Sequence, residues 1–210
     1  MSASADLWAV LVAAGSGARF GGPKHEVDLD GDPLWIHAER ALRSSGLEDV
    51  IVVGDVPGGV GGGPRRRDSV AKGLAQVPDG VEFVLVHDAA RPLVAPALVQ
   101  RVIERLRVGD VAGVVPAIPL RDTIKETDDD VVTRTVDRSS LVAVQTPQGF
   151  VTAVLRMAHA ANDEEASDDA VLVEALGERV VVVEGDPANL KITYAEDLEL
   201  ARLLRSSGHG

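Results

Sequence analysis

Five short apolar runs punctuate the chain: residues 7–13 (LWAVLVA), 51–53, 83–86, 112–115 and 180–183. They are rich in β-branched residues and do not alternate with polar positions. Such runs suit strands buried on both faces, as in a parallel sheet. Between them the apolar positions change to helical spacing. Leu34, Ile36, Ala38, Ala41 and Leu42 predict a helix over 34–43, and similar stretches cover 69–77, 96–107, 151–161 and 195–204. Strands alternating with helices predict an α/β domain, three layers deep, with right-handed crossovers around a mostly parallel sheet.

One stretch breaks the alternation. Residues 121–145 read RDTIKETDDDVVTRTVDRSSLVAVQ, two β-rich segments around Asp128-Asp129-Asp130, a solvated turn. This predicts a β-hairpin arm standing off the sheet. An isolated hairpin is marginal in water, so such an arm is expected to find a partner surface, and dimerisation through it is the natural reading. No internal repeat or domain-scale linker interrupts residues 1–210, which are expected to form one domain. Trp8 and Trp35 are expected to anchor the core.

Composition narrows the function classes. The 210 residues include no cysteine, which removes disulfides, cysteine-ligated metals and thiol nucleophiles together. The formal charge of −12 argues against general nucleic-acid binding, which needs a basic footprint. No apolar run approaches a membrane span and the N-terminus carries no signal-peptide pattern, so the expectation is a cytoplasmic protein. Of the 21 basic residues only Lys24, Lys72, Lys125 and Lys191 are lysines. A lysine retained in so arginine-rich a chain can mark a place that wants a compact point charge.

Ala13-Ala14-Gly15-Ser16-Gly17-Ala18-Arg19 leads from the first strand towards Pro23-Lys24. It is neither a P-loop, because Pro23 precedes the lysine and His25 follows it, nor a dinucleotide fingerprint, because Phe20 stands at the third glycine. Glycines free backbone N–H groups to form an anion-binding nest, and Arg19 and Lys24 add charge from either end, as a triphosphate requires. Taken alone, the loop reads equally well as an ordinary strand–helix turn with two solvated cations.

Further segments accompany it: Arg66-Arg67-Asp68-Ser69-Val70, His87-Asp88-Ala89-Ala90-Arg91-Pro92, Arg121-Asp122-Thr123, Val136-Asp137-Arg138, Thr146-Pro147-Gln148, Ser167-Asp168-Asp169-Ala170 and Asn189-Leu190-Lys191-Ile192-Thr193. In this order they resemble the 2-C-methyl-D-erythritol 4-phosphate cytidylyltransferase family, within the sugar-phosphate nucleotidylyltransferases, over nearly the whole chain. The resemblance implies a Rossmann-like α/β/α fold and transfer of CMP from CTP to methylerythritol phosphate, with release of pyrophosphate, in the non-mevalonate isoprenoid pathway. It also implies Mg²⁺ or another divalent cation and a homodimer built by the arm. A cytidylyltransferase for another polyol phosphate, such as ribitol 5-phosphate, and a non-catalytic CTP-binding protein are the rival readings.

By the same resemblance Arg19 and Lys24 hold the triphosphate and Lys191 approaches the α-phosphate. Ala13, Ala14, Gly15, Ser16, Gly17, Gly63, Asp68, Ser69, Asp88 and Ala89 line the nucleotide, with Asp88 also near the metal. Arg91, Thr123, Arg138 and Thr146 hold the acceptor, the arm's residues coming from a second subunit. The spacing between Arg19 and Lys24 is two residues shorter than in the family pattern, and Ser167 and Ala188 also depart from it. The chemistry suits these residue types: two polyanions must meet, so cations and fixed donors serve better than a general base. With a net charge of −12, attraction has to be local, from Arg19, Lys24, Arg91, Arg138 and Lys191.

Other charged residues are expected to do less. His87 and Asp88 are adjacent on a strand and point to opposite faces, so they form no dyad, and His87 reads as structural. Arg66 reads as structural or loop-ordering, with Arg65 and Arg67 solvated. Asp168 and Asp169 read as helix N-terminal charge. His25, His37, His159 and His209 have no metal-ligand spacing.

Overall fold

In a computed structural model, residues 6–15, 17, 20, 22, 27–161 and 163–207 are described. The five apolar runs become β1 (Leu7–Val12), β4 (Val50–Val53), β5 (Phe83–Asp88), β6 (Gly113–Pro119) and β11 (Val180–Glu184). The predicted helices become α1 (Leu34–Ser44), α2 (Arg66–Leu74), α3 (Pro96–Arg107), α4 (Thr152–Ala161) and α6 (Ala195–Ser206). Helix α2 starts three residues before the apolar spacing suggests. Asp68, at its third position, accepts from the backbone N–H of Arg65 and satisfies a donor the helix leaves free.

The strand order is β11-β6-β10-β5-β1-β4. Strand β10 (Gln148–Val151) lies antiparallel between β5 and β6, and β9 (Val142–Val144) runs antiparallel to the far end of β6. The sheet is therefore parallel except for these two short strands, of which β10 is announced by no apolar run. A small ladder joins β2 (Asp28–Leu29) to β3 (Asp32–Pro33). Helix α5 (Asp169–Ala175) is a further element, capped by the Asp168 carboxylate on the Val171 N–H.

Strand pleating sorts the core into two layers. Leu7, Ala9 and Leu11 of β1, with Phe83 and Leu85 of β5, pack under α1 and α3. Val10, Val84 and Val86 pack on the other side with Leu155 of α4 and Leu172 and Val173 of α5. Gly149 of β10 shows how close the layers come: a Cβ there would stand 2.9 Å from Val102 and 3.0 Å from Leu85. Trp8 and Trp35 pack against the two layers from their margins and are only partly buried, so neither is the central anchor expected of it. Helix α6 joins a third cluster with Leu29, Leu34, Leu93 and Ile192.

The arm is present as β7 (Ile124–Asp128) and β8 (Val131–Val136), a two-stranded ribbon with its own ladder. Asp129 takes φ 48° in its turn, a left-handed conformation that Asp tolerates better than most residues. Among the described residues no helix is long and apolar enough to cross a membrane.

Candidate active site

The C-terminal edges of β1 and β5 meet at one end of the sheet, where open α/β sheets place their ligands. Ala13 follows β1, and its N–H donates to Val53 O, while Ala89 donates to Val12 O just past β5. The segment before α2 folds over Ala14. A Cβ on Gly62 would lie 2.3 Å from the Ala14 side chain, so only glycine fits that approach. Lys72 holds the segment from behind through Gly62 O at 2.6 Å, and the Gly63 N–H donates to Ser69 Oγ at 3.0 Å. Of the residues expected to line a nucleotide, Ala13, Ala14, Gly63, Ser69, Asp88 and Ala89 thus gather around one strand edge. The Asp68 carboxylate is taken up by the Arg65 backbone and guanidinium, which hold it below the usual carboxylate range.

Asp88 is the charged centre of the site. Arg66 Nε donates to its Oδ1 at 3.0 Å and Lys191 Nζ to its Oδ2 at 2.6 Å. Burial opposes ionisation, but the Arg66 and Lys191 charges outweigh it and hold the carboxyl well below its usual range. An ammonium has three N–H donors, so Lys191, which is 40 % exposed, keeps two for a ligand. Arg66 bridges inward as well, with Nη1 on Asp169 Oδ2 at 2.7 Å.

Behind Asp88 lies a neutral support. Thr146 Oγ1 accepts from the Asp88 N–H at 3.1 Å and lies 2.9 Å from His87 Nδ1, while His87 Nε2 lies 3.1 Å from Arg91 O. The arrangement is self-consistent with the proton on Nε2, donating to the carbonyl, and Nδ1 accepting from the threonine. Burial pushes the His87 ring down to about 4. The unfolded ring takes up its proton near 6.5, so below that pH the unfolded state binds more protons than the native state. Stability is therefore expected to fall as pH drops from about 6.5 towards 4, by at most on the order of 3 kcal/mol from this group. Urea unfolding between pH 7 and 5 checks this: His87→Asn should flatten the dependence by up to one proton, and an unchanged slope would refute the assignment.

The other expected residues fall into three groups. Arg91 comes to the site's edge, donating to Asn189 O at 2.7 Å and to Val144 O at 3.4 Å, and its Nε is buried without a hydrogen-bond partner. Thr123 and Arg138 belong to the exposed arm, where Arg138 donates to Arg121 O. Ser16, Arg19 and Lys24 lie outside the described residues, as does His25; Gly15 and Gly17 are described on either side of Ser16.

The expectation of solvated neighbours around Arg66 is corrected. Arg65 donates to Asp163, and Arg67, 5 % exposed, donates to Glu164 O and His159 O. Asp169 is likewise more than a helix-end charge: it is fully buried between Arg66 and His159, with His159 Nε2 on Oδ1 at 3.0 Å. Asp168 caps the helix while Asp169 turns inward, and nothing in the adjacent pair tells which acid does which.

Residues 7–206 match the family described as 2-C-methyl-D-erythritol 4-phosphate cytidylyltransferase. The chain belongs to that cytidylyltransferase family. It is 48 % identical to the 2-C-methyl-D-erythritol 4-phosphate cytidylyltransferase of Rhodococcus jostii, over 95 % of each chain. It is 46 % identical to a bifunctional IspD/IspF enzyme of Nitratidesulfovibrio vulgaris, aligning over 92 % of its own length and 56 % of that enzyme's. The crystal structure of the Thermus thermophilus cytidylyltransferase superposes with a TM-score of 0.80 at 38 % identity, covering 94 % of this chain and 98 % of that one. The mostly parallel sheet flanked by helices is thus the Rossmann-like fold of the cytidylyltransferase family.

Proposed function

We propose that this chain transfers CMP from CTP to 2-C-methyl-D-erythritol 4-phosphate. The observation that carries the reading is the cationic pair on Asp88, set at the strand edge beside the glycine segment, in a chain of that family. A phosphate oxygen of the acceptor attacks the α-phosphorus, and the bond to the pyrophosphate oxygen breaks. A phosphate dianion is already nucleophilic, so no base is needed. Lys191 turns its two free N–H donors to the α-phosphate oxygens as negative charge spreads over them. Arg19 and Lys24 hold the outgoing pyrophosphate from the loop. Ala13, Ala14, Gly15, Ser16, Gly17, Gly63, Asp68, Ser69 and Ala89 enclose the nucleotide.

For the acceptor, Arg91 offers a guanidinium at the site's edge, and Thr146 sits behind it with its hydroxyl held by His87 and Asp88. Thr123 and Arg138 complete the acceptor set from the arm of a second copy. The arm supports a homodimer because its ribbon leaves Val131 63 % and Val132 55 % exposed, one on each face, apolar positions that a partner would cover.

The residues present fit a magnesium ion that arrives with the nucleotide. Among the described residues no group of three or more His, Cys, Asp or Glu could cage a metal. Mg²⁺ commonly takes one or two carboxylates and fills its shell with phosphate and water oxygens, and Asp88 is one ionised carboxylate with further lone pairs on both oxygens. When bound, the ion would neutralise phosphate charge. A cytoplasmic location suits a chain whose proposed substrates are polar phosphates.

The test is a pyrophosphate-release assay with CTP, Mg²⁺ and a panel of acceptors, run alongside sedimentation of the full chain. Methylerythritol phosphate is expected to be strongly preferred by a dimer. Preference for ribitol 5-phosphate would overturn the acceptor, CTP binding without any release would make the chain a binding protein, and a monomer at micromolar concentration would remove the shared site.

A further inference from the structure

Three consecutive arginines at the start of α2 all reach the same distant segment. Arg65 ties to Asp163, Arg67 to Glu164 O and His159 O, and Arg66 to Asp169. Of the three, Arg66 also reaches Asp88. Its guanidinium carries Asp88 on Nε and Asp169 on Nη1, while His159 holds the other oxygen of Asp169. A guanidinium is planar and rigid, so two carboxylates fixed on different nitrogens determine both its position and its plane. Asp169 is 0 % exposed and the His159 side chain 6 %, so neither meets substrate directly.

We infer that Asp169, backed by His159, is a positioning residue for nucleotidyl transfer: it anchors Arg66 so that Arg66 presents Asp88 to the nucleotide site. This rests on the reading of Asp88 as a nucleotide-site carboxylate. Asp169 also balances charge. Two carboxylates share Arg66, so Asp88 does not carry the whole guanidinium charge alone and Lys191 stays on its outer oxygen. Without the Asp169 charge, Arg66 swings onto Asp88 and draws the carboxylate inward. Small misplacements of this kind cost turnover more than ground-state binding.

The experiment is a double-mutant cycle on the full chain. Asp169→Asn is expected to lower kcat about 30-fold while KM for CTP changes less than about threefold. On an Asp88→Asn background the same change should cost less than about twofold further, because its route to the site is already cut. In a side-chain NMR spectrum, the Arg66 Nη1–H, which Asp169 holds, should exchange at least about tenfold faster in Asp169→Asn than in the parent. A purely structural role would instead multiply the two losses, and that outcome, or a normal kcat for Asp169→Asn, overturns the inference. If Asp169→Asn does not fold, His159→Leu takes its place, with about a fivefold loss of kcat that vanishes on the Asp88→Asn background; a loss that persists there, or none on the parent, overturns it. Asp88→Asn turning over normally would overturn the underlying reading together with this one, whereas Asp88→Asn crippled beside a normal Asp169→Asn overturns the positioning role alone.

Discussion

Lys191→Ala is expected to lower kcat by about two to three orders of magnitude, the scale on which single donors to a developing anionic charge act. The folded protein should hardly register the change. Lys191 is 40 % exposed, and Asp88, 11 % exposed, keeps Arg66 as its cation, so the loss costs on the order of 1 kcal/mol. Asp88 would remain on Arg66 and on Thr146 through its backbone N–H. Lys191→Arg should recover only part of the activity, because a planar fork replaces a compact charge with rotatable donors. Steady-state kinetics and a thermal melt of the same preparation decide the matter. A kcat near that of the parent would remove Lys191 from the α-phosphate.

Arg66→Met has its largest effect on stability, on the order of 3–5 kcal/mol at neutral pH, because removing one partner of a buried ion pair strands the other charge. Here the charge left without a cation is Asp169, which is fully buried and keeps only the His159 ring, whereas Asp88, whose side chain is 11 % exposed, keeps Lys191. In the parent, Arg66 is a main reason that both carboxyls stay below their ordinary range, so their contribution is present above the unfolded pKa and is lost only in acid. In the variant, burial acts on Asp169 without Arg66 and pushes its carboxyl up, while Lys191 still holds Asp88 down, and protonation of Asp169 then favours the native state. The deficit should therefore be greatest near pH 7.5 and shrink towards pH 5. Urea unfolding at the two values measures it. A deficit below about 1 kcal/mol with no pH dependence would show that Arg66 carries little of the burden.

Much of the fold is legible in the pattern of residues. Unalternated Val and Leu runs mark β1, β4, β5 and β6 because both faces pack into the helix-covered layers, and β11 at the sheet edge even though its Val182 is 55 % exposed. Strand β10 is not legible in this way. It has four residues, one of them Gly149, whose missing side chain lets Leu85, Val102 and Leu106 come close, and it runs against the parallel neighbours that the alternation implies. The start of α2 is hidden by three arginines that look solvated and are instead tied to a segment about a hundred residues later. Asp88 and Lys191 are found by motif and prove to be in contact. Asp169 and His159 are not found, since nothing local distinguishes a helix-end acid from one turned inward towards a distant arginine. Contacts between elements far apart in the chain set the electrostatics of this site, and periodicity cannot report them.

The way the arm is rooted has a mechanical side. Its ribbon leaves the sheet at the end of β6 and returns through β9 before the chain reaches Gln145 and Thr146. Strand β9 is laddered back onto β6 at Val142, Ala143 and Val144, and Gln145 adds its N–H to Pro116 O. A pull on the arm thus loads β9 first, in shear along β6, before any of it reaches the threonine that supports Asp88. Strand β9 works as a strain relief, so the outer ribbon can be seized, tilted or released with little disturbance passed on to the carboxylate at the strand edge.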